Sequence, residues 1–277
     1  MEIPYIDLSG IDGHQTRTII ARELATLSRT SGWAVLINHS NSRTYIEQMT
    51  QVAGKLCDMP VDQQKMWPLG KNTVGYETSH GPGVATVYVS GRPGSLDQQI
   101  ESLPPLWQRH VEQIETFTFL CHALTQKLLV CLGLAINEDD YEALAKEHLE
   151  NAEGTVQFRV RRHSPSSVAA RHADSTVWLP SSPTGSIIIG FMAEGLVEVD
   201  MANGEWRSVP GASDGILVYV GDAVPFWSRG HLQNMRYCLA WSDNGMQTEK
   251  IKMTYLSATA PGYDFGLGCK QARTEKS

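Results

Sequence analysis

Apolar residues follow two different spacings along the chain, and the change falls near residue 151. Before it, apolar positions recur every three or four residues, which predicts helices over residues 16–31, 45–59 and 104–134. After it, apolar and polar residues alternate in short stretches that glycine, proline and asparagine separate. That spacing predicts roughly eight short strands. The pattern therefore indicates a mostly helical N-terminal part followed by a β part.

Two short strands are also predicted inside the N-terminal part, over residues 3–8 and 33–39. Residues 71–103, by contrast, are rich in glycine, proline and serine, and this composition predicts an irregular segment. Such a segment either covers an active site or forms an ordinary surface loop.

The strand predicted over residues 156–162 carries three arginines. Alternation places Arg159 and Arg161 on one face of this strand and Arg162 on the other. A set that faces the interior would be a costly buried charge unless it meets an anion, so we expect a carboxylate on the substrate or co-substrate. The alternative for each arginine is an exposed position on the outside of the sheet. As a whole, the series of short strands predicts a β-sandwich or jelly roll.

The amino-acid composition indicates which kinds of partner the protein binds. The net charge is −7 and no run of lysine or arginine occurs, which argues against nucleic acid or an anionic membrane as the main partner. We expect a small molecule instead. The five cysteines are widely spaced and include no CxxC pair, as is typical of reduced thiols in a cytosolic chain. A polar N-terminus and the lack of a long apolar run predict a cytoplasmic location without a membrane span.

The segment around His172 carries the candidate chemistry. His172 and Asp174 form a His-x-Asp, and on a strand residues i and i+2 project from the same face. One imidazole nitrogen and one carboxylate oxygen would then meet at a single point. A second histidine would complete the 2-His-1-carboxylate facial triad of non-haem iron(II), and His231 is the one histidine that follows in the chain. The alternative for the pair is an exposed strand that carries both residues for solubility.

Three other histidines compete less well for a metal. His110, His122 and His148 fall within predicted helices. His110 and His148 each begin a His-x-Glu, but residues i and i+2 of a helix point apart and do not share one metal.

Several segments, in this order and spacing, resemble the isopenicillin N synthase-like iron(II)- and 2-oxoglutarate-dependent oxygenases. The N-terminal segments read IPYIDLSG, SGWAVLINHS and KLCDMPVDQQKM, and a C-terminal one reads GLVEVDMANGEWRSVPGASDGILVYVGD. Together they cover nearly the whole chain. The resemblance implies a mainly β fold with flanking helices and a double-stranded β-helix (jelly-roll) core. It also implies a single oxygenase domain, with a mostly helical part over residues 1–150, the core over 151–262 and a tail over 263–277.

The resemblance implies an iron site as well. His172 and Asp174 fall on the family's first two iron ligands. The triplet that carries the third ligand in the family is altered here. Either His231 takes that position on a shortened hairpin, which we favour, or His231 is an exposed turn residue and the iron site is incomplete.

The family's Arg-x-Ser motif, which holds the far carboxylate of 2-oxoglutarate, has two counterparts in this chain. Lys252 and Thr254 keep both of the strands expected before the motif, whereas residues 236–238, which begin with Arg236, leave only one. We assign the role to Lys252 and Thr254, with a lysine in place of arginine's two-pronged guanidinium. Residues 161–165 resemble the family's Asn-Tyr-Tyr-Pro segment, whose co-substrate tyrosine is absent here, and Arg161, the first of them, is expected to contact the co-substrate.

The implied function is oxidation of a small organic molecule by dioxygen, with iron(II) and 2-oxoglutarate as cofactors. Hydroxylation, desaturation and ring closure are all known outcomes in this family, and secondary metabolism is the expected setting. Two alternatives stay open. One is an oxidase that, like isopenicillin N synthase, uses no 2-oxoglutarate; the other is a metal-free relative that binds a ligand or catalyses a redox-neutral rearrangement.

Overall fold

The computed structural model describes residues 2–39, 43–69, 74–77, 84–136, 141–149, 155–164, 187–201, 205–211, 215–221, 237–239 and 249–258. The helices are α1 (His14–Thr30), α2 (Arg43–Cys57), α3 (Val61–Gln64), α4 (Pro105–Gln108), α5 (Val111–Ile136) and α6 (Ala143–Leu149), with a 3-10 helix over Asp97–Ser102. The strands are β1 (Tyr5–Asp7), β2 (Trp33–Ile37), β3 (Gly75–Glu77), β4 (Val84–Ser90), β5 (Thr155–His163), β6 (Ile187–Met192), β7 (Val197–Asp200), β8 (Trp206–Ser208), β9 (Ile216–Val220), β10 (Tyr237–Leu239) and β11 (Lys250–Ala258).

Two sheets form the frame of the molecule. The larger has eight strands in the order β1-β2-β9-β6-β11-β5-β4-β3, and the smaller has the order β10-β7-β8. Neighbouring strands are antiparallel, except that β1 runs parallel to β2. The chain passes from the larger sheet to the smaller between β6 and β7. The predicted class, mainly β with flanking helices, is confirmed.

The two faces of the larger sheet pack against different partners because side chains alternate along each strand. One face joins α1, α2 and α5 in the main hydrophobic core. The opposite face joins the smaller sheet in a second core; its members include Trp33, Val35, Ile188, Leu217, Tyr219 and Leu256 from the larger sheet and Val197 and Val199 from β7. We call this opposite face the inner face. By strand alternation, polar side chains of β4, β5 and β11 project from this same face.

Helix α5 is the central helix of the main core. It is long and apolar enough to cross a membrane by length and composition alone, but half of it is buried inside the protein. Phe117, fully buried, packs its ring 5.3 Å from that of Phe158 on β5 and 4.9 Å from that of Phe191 on β6. The apolar side of α5 is therefore covered by the sheet.

The prediction of an irregular segment over residues 71–103 is wrong for two stretches. Gly75–Glu77 and Val84–Ser90 form β3 and β4, and β4 pairs with β5 along its whole length. Glycine and proline around these strands hid them, because the partner that stabilises β4 lies about 70 residues further along the chain.

The long helix predicted over residues 104–134 is interrupted. The structure has α4, then a break at Arg109 and His110, then α5. Trp107 of α4 is fully buried and its Nε1 donates a hydrogen bond 2.7 Å long to the hydroxyl of Tyr76. This anchor fixes α4 separately from α5, so His110 lies between two helices rather than within one.

Candidate active site

A row of polar and charged side chains crosses the inner face where β4, β5 and β11 lie side by side. Lys252 of β11 pairs in register with Arg161 of β5, and Thr254 pairs with Arg159. On the other side of β5, Thr86 and Tyr88 of β4 pair with the same two arginines. Strand alternation thus brings together residues that are far apart in sequence.

Lys252 is the most enclosed cation of this row. Its side chain is buried, with 7% of the residue exposed. Burial and the neighbouring charges of Arg161 and Arg159 lower its pKa from 10.5 to about 7. All three causes disfavour the ammonium form, so an anion that binds here would stabilise the charge on Lys252.

The two inner-face arginines differ in their contacts. Arg161 donates from Nε to the hydroxyl of Thr86 at 3.2 Å. Arg159 donates from Nη2 to Oε1 of Gln157 at 3.1 Å, and its guanidinium carbon lies 4.8 Å from the centre of the Tyr88 ring. The Nε of Arg159 is buried and has no hydrogen-bond partner among the described residues. Arg159 therefore keeps donor capacity directed into the interior.

Tyr88 is held in turn by β3. Its hydroxyl donates a hydrogen bond to the carboxylate of Glu77. Burial and this bond raise the pKa of Tyr88, partly opposed by Arg159, so the ring under the guanidinium is a neutral phenol. Glu77, Tyr88 and Arg159 form a chain of contacts across β3, β4 and β5.

Arg162 lies on the opposite side of β5. It pairs with Asp58 and with Glu249, at 3.4 Å, and donates from Nη2 to the carbonyl of Cys57 at 2.9 Å. It therefore ties the end of α2 to the sheet. The predicted division of the three arginines is confirmed: Arg159 and Arg161 lie on the inner face, and Arg162 lies on the opposite face.

The proposed iron ligands lie outside the described residues. This applies to His172, Asp174 and His231, and also to Arg236, the alternative co-substrate residue. Within the ranges that the structure describes, no group of three His, Cys, Asp or Glu side chains is placed to hold a metal. The assignment of the three ligands stays a prediction from the sequence.

The helical histidines have structural roles. His122 of α5 forms a 3.0 Å hydrogen bond with the hydroxyl of Tyr255. His148 of α6 is fully buried with its Nδ1 2.6 Å from the carbonyl of Leu144, and burial lowers its pKa to about 4. Both side chains belong to the packing of helices against the sheet.

Three inner-face residues escaped the sequence analysis: His163, Tyr88 and Glu77. His163 lies on β5 two residues beyond Arg161, on the same face, and is buried. Extending the alternation of the two arginines by one step would have found it. Tyr88 and Glu77 lie in the segment that we predicted to be irregular, where no local pattern pointed to a strand.

Comparison with known proteins indicates the kind of function to which this cluster belongs. Residues 3–90 match the family described as non-haem dioxygenase in morphine synthesis, N-terminal. A UPF0676 protein of Schizosaccharomyces pombe is 26% identical over 251 residues, which span 84% of this chain and 75% of that protein. The 2-oxoglutarate-dependent dioxygenase 21, chloroplastic, of Oryza sativa subsp. japonica is 22% identical over 241 residues, spanning 84% and 70%. The predicted resemblance to iron(II)- and 2-oxoglutarate-dependent oxygenases is confirmed.

A solved structure supports the fold of these oxygenases for the present chain. The complex of dioxygenase for auxin oxidation 1 from Arabidopsis thaliana with 2-oxoglutarate superimposes with a TM-score of 0.74 at 17% identity and covers 95% of each chain. The jelly-roll prediction is therefore confirmed.

The inner-face cluster fits one of the two expected cofactors. Lys252, Arg161 and the hydroxyl of Thr254 offer positive charge and hydrogen-bond donors on one face, where Lys252 and Thr254 are buried, and this suits the carboxylate of 2-oxoglutarate.

Proposed function

We propose that the protein is a non-haem iron(II)- and 2-oxoglutarate-dependent oxygenase that oxidises a small organic molecule. The observation that carries this proposal is the pairing of the buried Lys252 with the partly exposed Arg161 on the inner face, in a chain that resembles dioxygenases of this kind. Bound iron(II) and 2-oxoglutarate supply oxidation by dioxygen, coupled to decarboxylation of 2-oxoglutarate.

Separate residues hold the two cofactors in this proposal. Lys252 and Arg161 neutralise the far carboxylate of 2-oxoglutarate, and Thr254 donates a hydrogen bond to it. His172, Asp174 and His231 ligate the iron. Lys252 and Thr254 are buried, so water has little access to them, and this strengthens their interactions with a charged ligand.

The substrate carries a carboxylate of its own. Three inner-face cations, Arg159, Arg161 and Lys252, share a partly buried space, and each is positively charged when Lys252 is protonated. The far carboxylate of 2-oxoglutarate supplies a single negative charge. The positive charge of these three side chains would also attract a carboxylate on the substrate.

Iron content, 2-oxoglutarate binding and succinate formation together test the proposal. Protein loaded with iron(II) without oxygen is expected to bind stoichiometric iron, and calorimetry is expected to show 2-oxoglutarate binding that requires the metal. Admission of air should then yield succinate slowly, even without substrate. Iron without 2-oxoglutarate binding would favour the oxidase alternative, and failure to bind iron would favour the metal-free one.

We also propose that the protein acts in the cytoplasm and that its reaction belongs to secondary metabolism. Cys57, Cys121 and Cys131 are buried free thiols, as in proteins of a reducing compartment. Burial raises the pKa of Cys57 to about 12, so this thiol stays protonated and unreactive.

A further inference from the structure

The contacts of Arg159 differ from those of the other inner-face cations. Arg161 and Lys252 face each other in one row across the sheet, whereas Arg159 lies opposite Thr254 in the next row. Adjacent rows on one face are about 6.6 Å apart along the strand, because two residues separate them. Arg159 is thus one row removed from the pair of Lys252 and Arg161, in the row to which Thr254 also belongs.

Arg159 is held in place by neutral groups. One Nη2 hydrogen bond goes to the amide oxygen of Gln157, and the guanidinium lies over the uncharged ring of Tyr88. Its buried Nε has no hydrogen-bond partner among the described residues. A charged donor left unsatisfied in the interior is costly, so this edge of the guanidinium is suited to an incoming acceptor.

Tyr88 and Glu77 fix where that acceptor has to bind. The hydrogen bond from Tyr88 to Glu77 ties the ring of β4 to β3, and the ring in turn supports the guanidinium. The contact chain reaches Arg159 from the edge of the sheet, on the side of β5 away from β11. The support for Arg159 is therefore independent of Lys252 and Thr254.

We propose that Arg159 is the specificity-determining residue that binds the carboxylate of the primary substrate, with Tyr88 and Glu77 as positioning residues. The proposal rests on the proposed function and assigns its two carboxylates to different cations. Lys252, Arg161 and Thr254 hold 2-oxoglutarate, and Arg159 selects an acidic substrate over its neutral counterpart.

Matched pairs of small acids and their primary amides test this assignment. Phenylacetate, cinnamate and hexanoate, each beside its amide, are titrated calorimetrically into the iron(II) and 2-oxoglutarate complex without oxygen. We expect the wild-type protein to bind at least one acid about tenfold or more tightly than its amide. Arg159→Gln should remove that preference while 2-oxoglutarate affinity stays within about threefold.

Three further variants complete the design. Arg162→Gln changes the outward arginine of the same strand and should keep the preference. Arg159→Lys keeps a positive charge and should retain part of the preference for acids, provided that circular dichroism shows the variant to be folded. Tyr88→Phe keeps the ring but loses the bond to Glu77, so the acid preference should fall while affinity for the amide is unchanged.

Each other outcome overturns the proposal. An Arg159→Gln protein that still prefers acids excludes a role in substrate binding. A parallel loss of 2-oxoglutarate affinity would assign Arg159 to the co-substrate, and equal binding of acids and amides by the wild type would exclude an acidic substrate. If the wild type fails to bind 2-oxoglutarate, the proposed function fails; the same acids and amides titrated into the protein without 2-oxoglutarate then still decide the role of Arg159.

Discussion

Lys252 and Arg161 lie directly opposite each other on adjacent antiparallel strands, on the inner face of the larger sheet. Like charges at such positions repel and destabilise a sheet. Lys252 is nevertheless buried beside the partly exposed Arg161, and the pKa of Lys252 is lowered to about 7. An arrangement that costs stability in the empty protein is typical of a binding site, where the ligand restores the balance.

Replacement of Lys252 by methionine should weaken co-substrate binding. Lys252→Met is expected to raise the KM for 2-oxoglutarate by about one to two orders of magnitude, which corresponds to about 1.5–3 kcal/mol for a charged hydrogen bond. Succinate formation at varied 2-oxoglutarate measures it. Lys250→Met is the control, because Lys250 lies on the same strand and donates instead to the carbonyl of Glu194 at 2.9 Å. The assignment is wrong if Arg236→Met has the effect and Lys252→Met does not.

Affinity for 2-oxoglutarate should depend on pH through Lys252. Since the pKa of Lys252 is about 7 in the empty protein, binding of an anion at higher pH has to take up a proton. We expect calorimetric affinity to fall by roughly fiftyfold between about pH 7 and pH 9, because the protonated fraction of Lys252 falls from about one half to about one hundredth. Lys252→Arg keeps its charge over this range and should show a flat profile. A sloping profile in that variant would exclude Lys252 as the titrating group.

The stability of the empty protein should also depend on pH. The pKa of Lys252 is about 7 when folded and 10.5 ordinarily, so between these values the unfolded chain holds the extra proton. The contribution of Lys252 to the free energy of unfolding therefore rises as pH increases through that range. Without 2-oxoglutarate, Lys252→Met should melt at a higher temperature than wild type near pH 6, and the difference should narrow towards pH 9. A constant difference across these pH values would contradict the assigned cause.

The three proposed iron ligands should be needed for metal but not for folding. His172→Ala, Asp174→Ala and His231→Ala are each expected to lose most iron binding, with circular dichroism unchanged, because a jelly roll is held by its core. His14→Ala is the control, since His14 is exposed at the start of α1. Full activity of Asp174→Ala would refute the iron mechanism. A metal-bound structure with the His231 ring turned to solvent would exclude it as a ligand.

Local patterns were enough to predict the strands that carry the cations. The period of two along β5 and β11 follows from backbone geometry alone, so the separation of Arg159 and Arg161 from Arg162 could be deduced without a structure. The burial of Lys252 could not be deduced from the sequence, because it depends on which strand lies beside β11. That neighbour is β5, nearly 90 residues earlier in the sequence.

The strands β3 and β4 show where sequence reasoning failed. Gly75 has a φ of 140°, a conformation that favours glycine, and a Cβ there would lie 2.6 Å from the carbonyl oxygen of Pro68. The glycine therefore belongs to a strand that passes close to another backbone. Read locally, it indicated a turn, and so Tyr88 and Glu77 were missed with the strands that carry them.

The position of β11 affects how the protein is made. It is the last strand that the structure describes, yet it lies at the centre of the larger sheet between β6 and β5. Until the ribosome has released it, β5 and β6 each present an unpaired edge, and such edges associate readily with other chains. Its pairings are long-range, so sheet closure should be a slow, late event in synthesis. Because Lys252 arrives on this closing strand, an incompletely translated chain has no means of capturing the co-substrate.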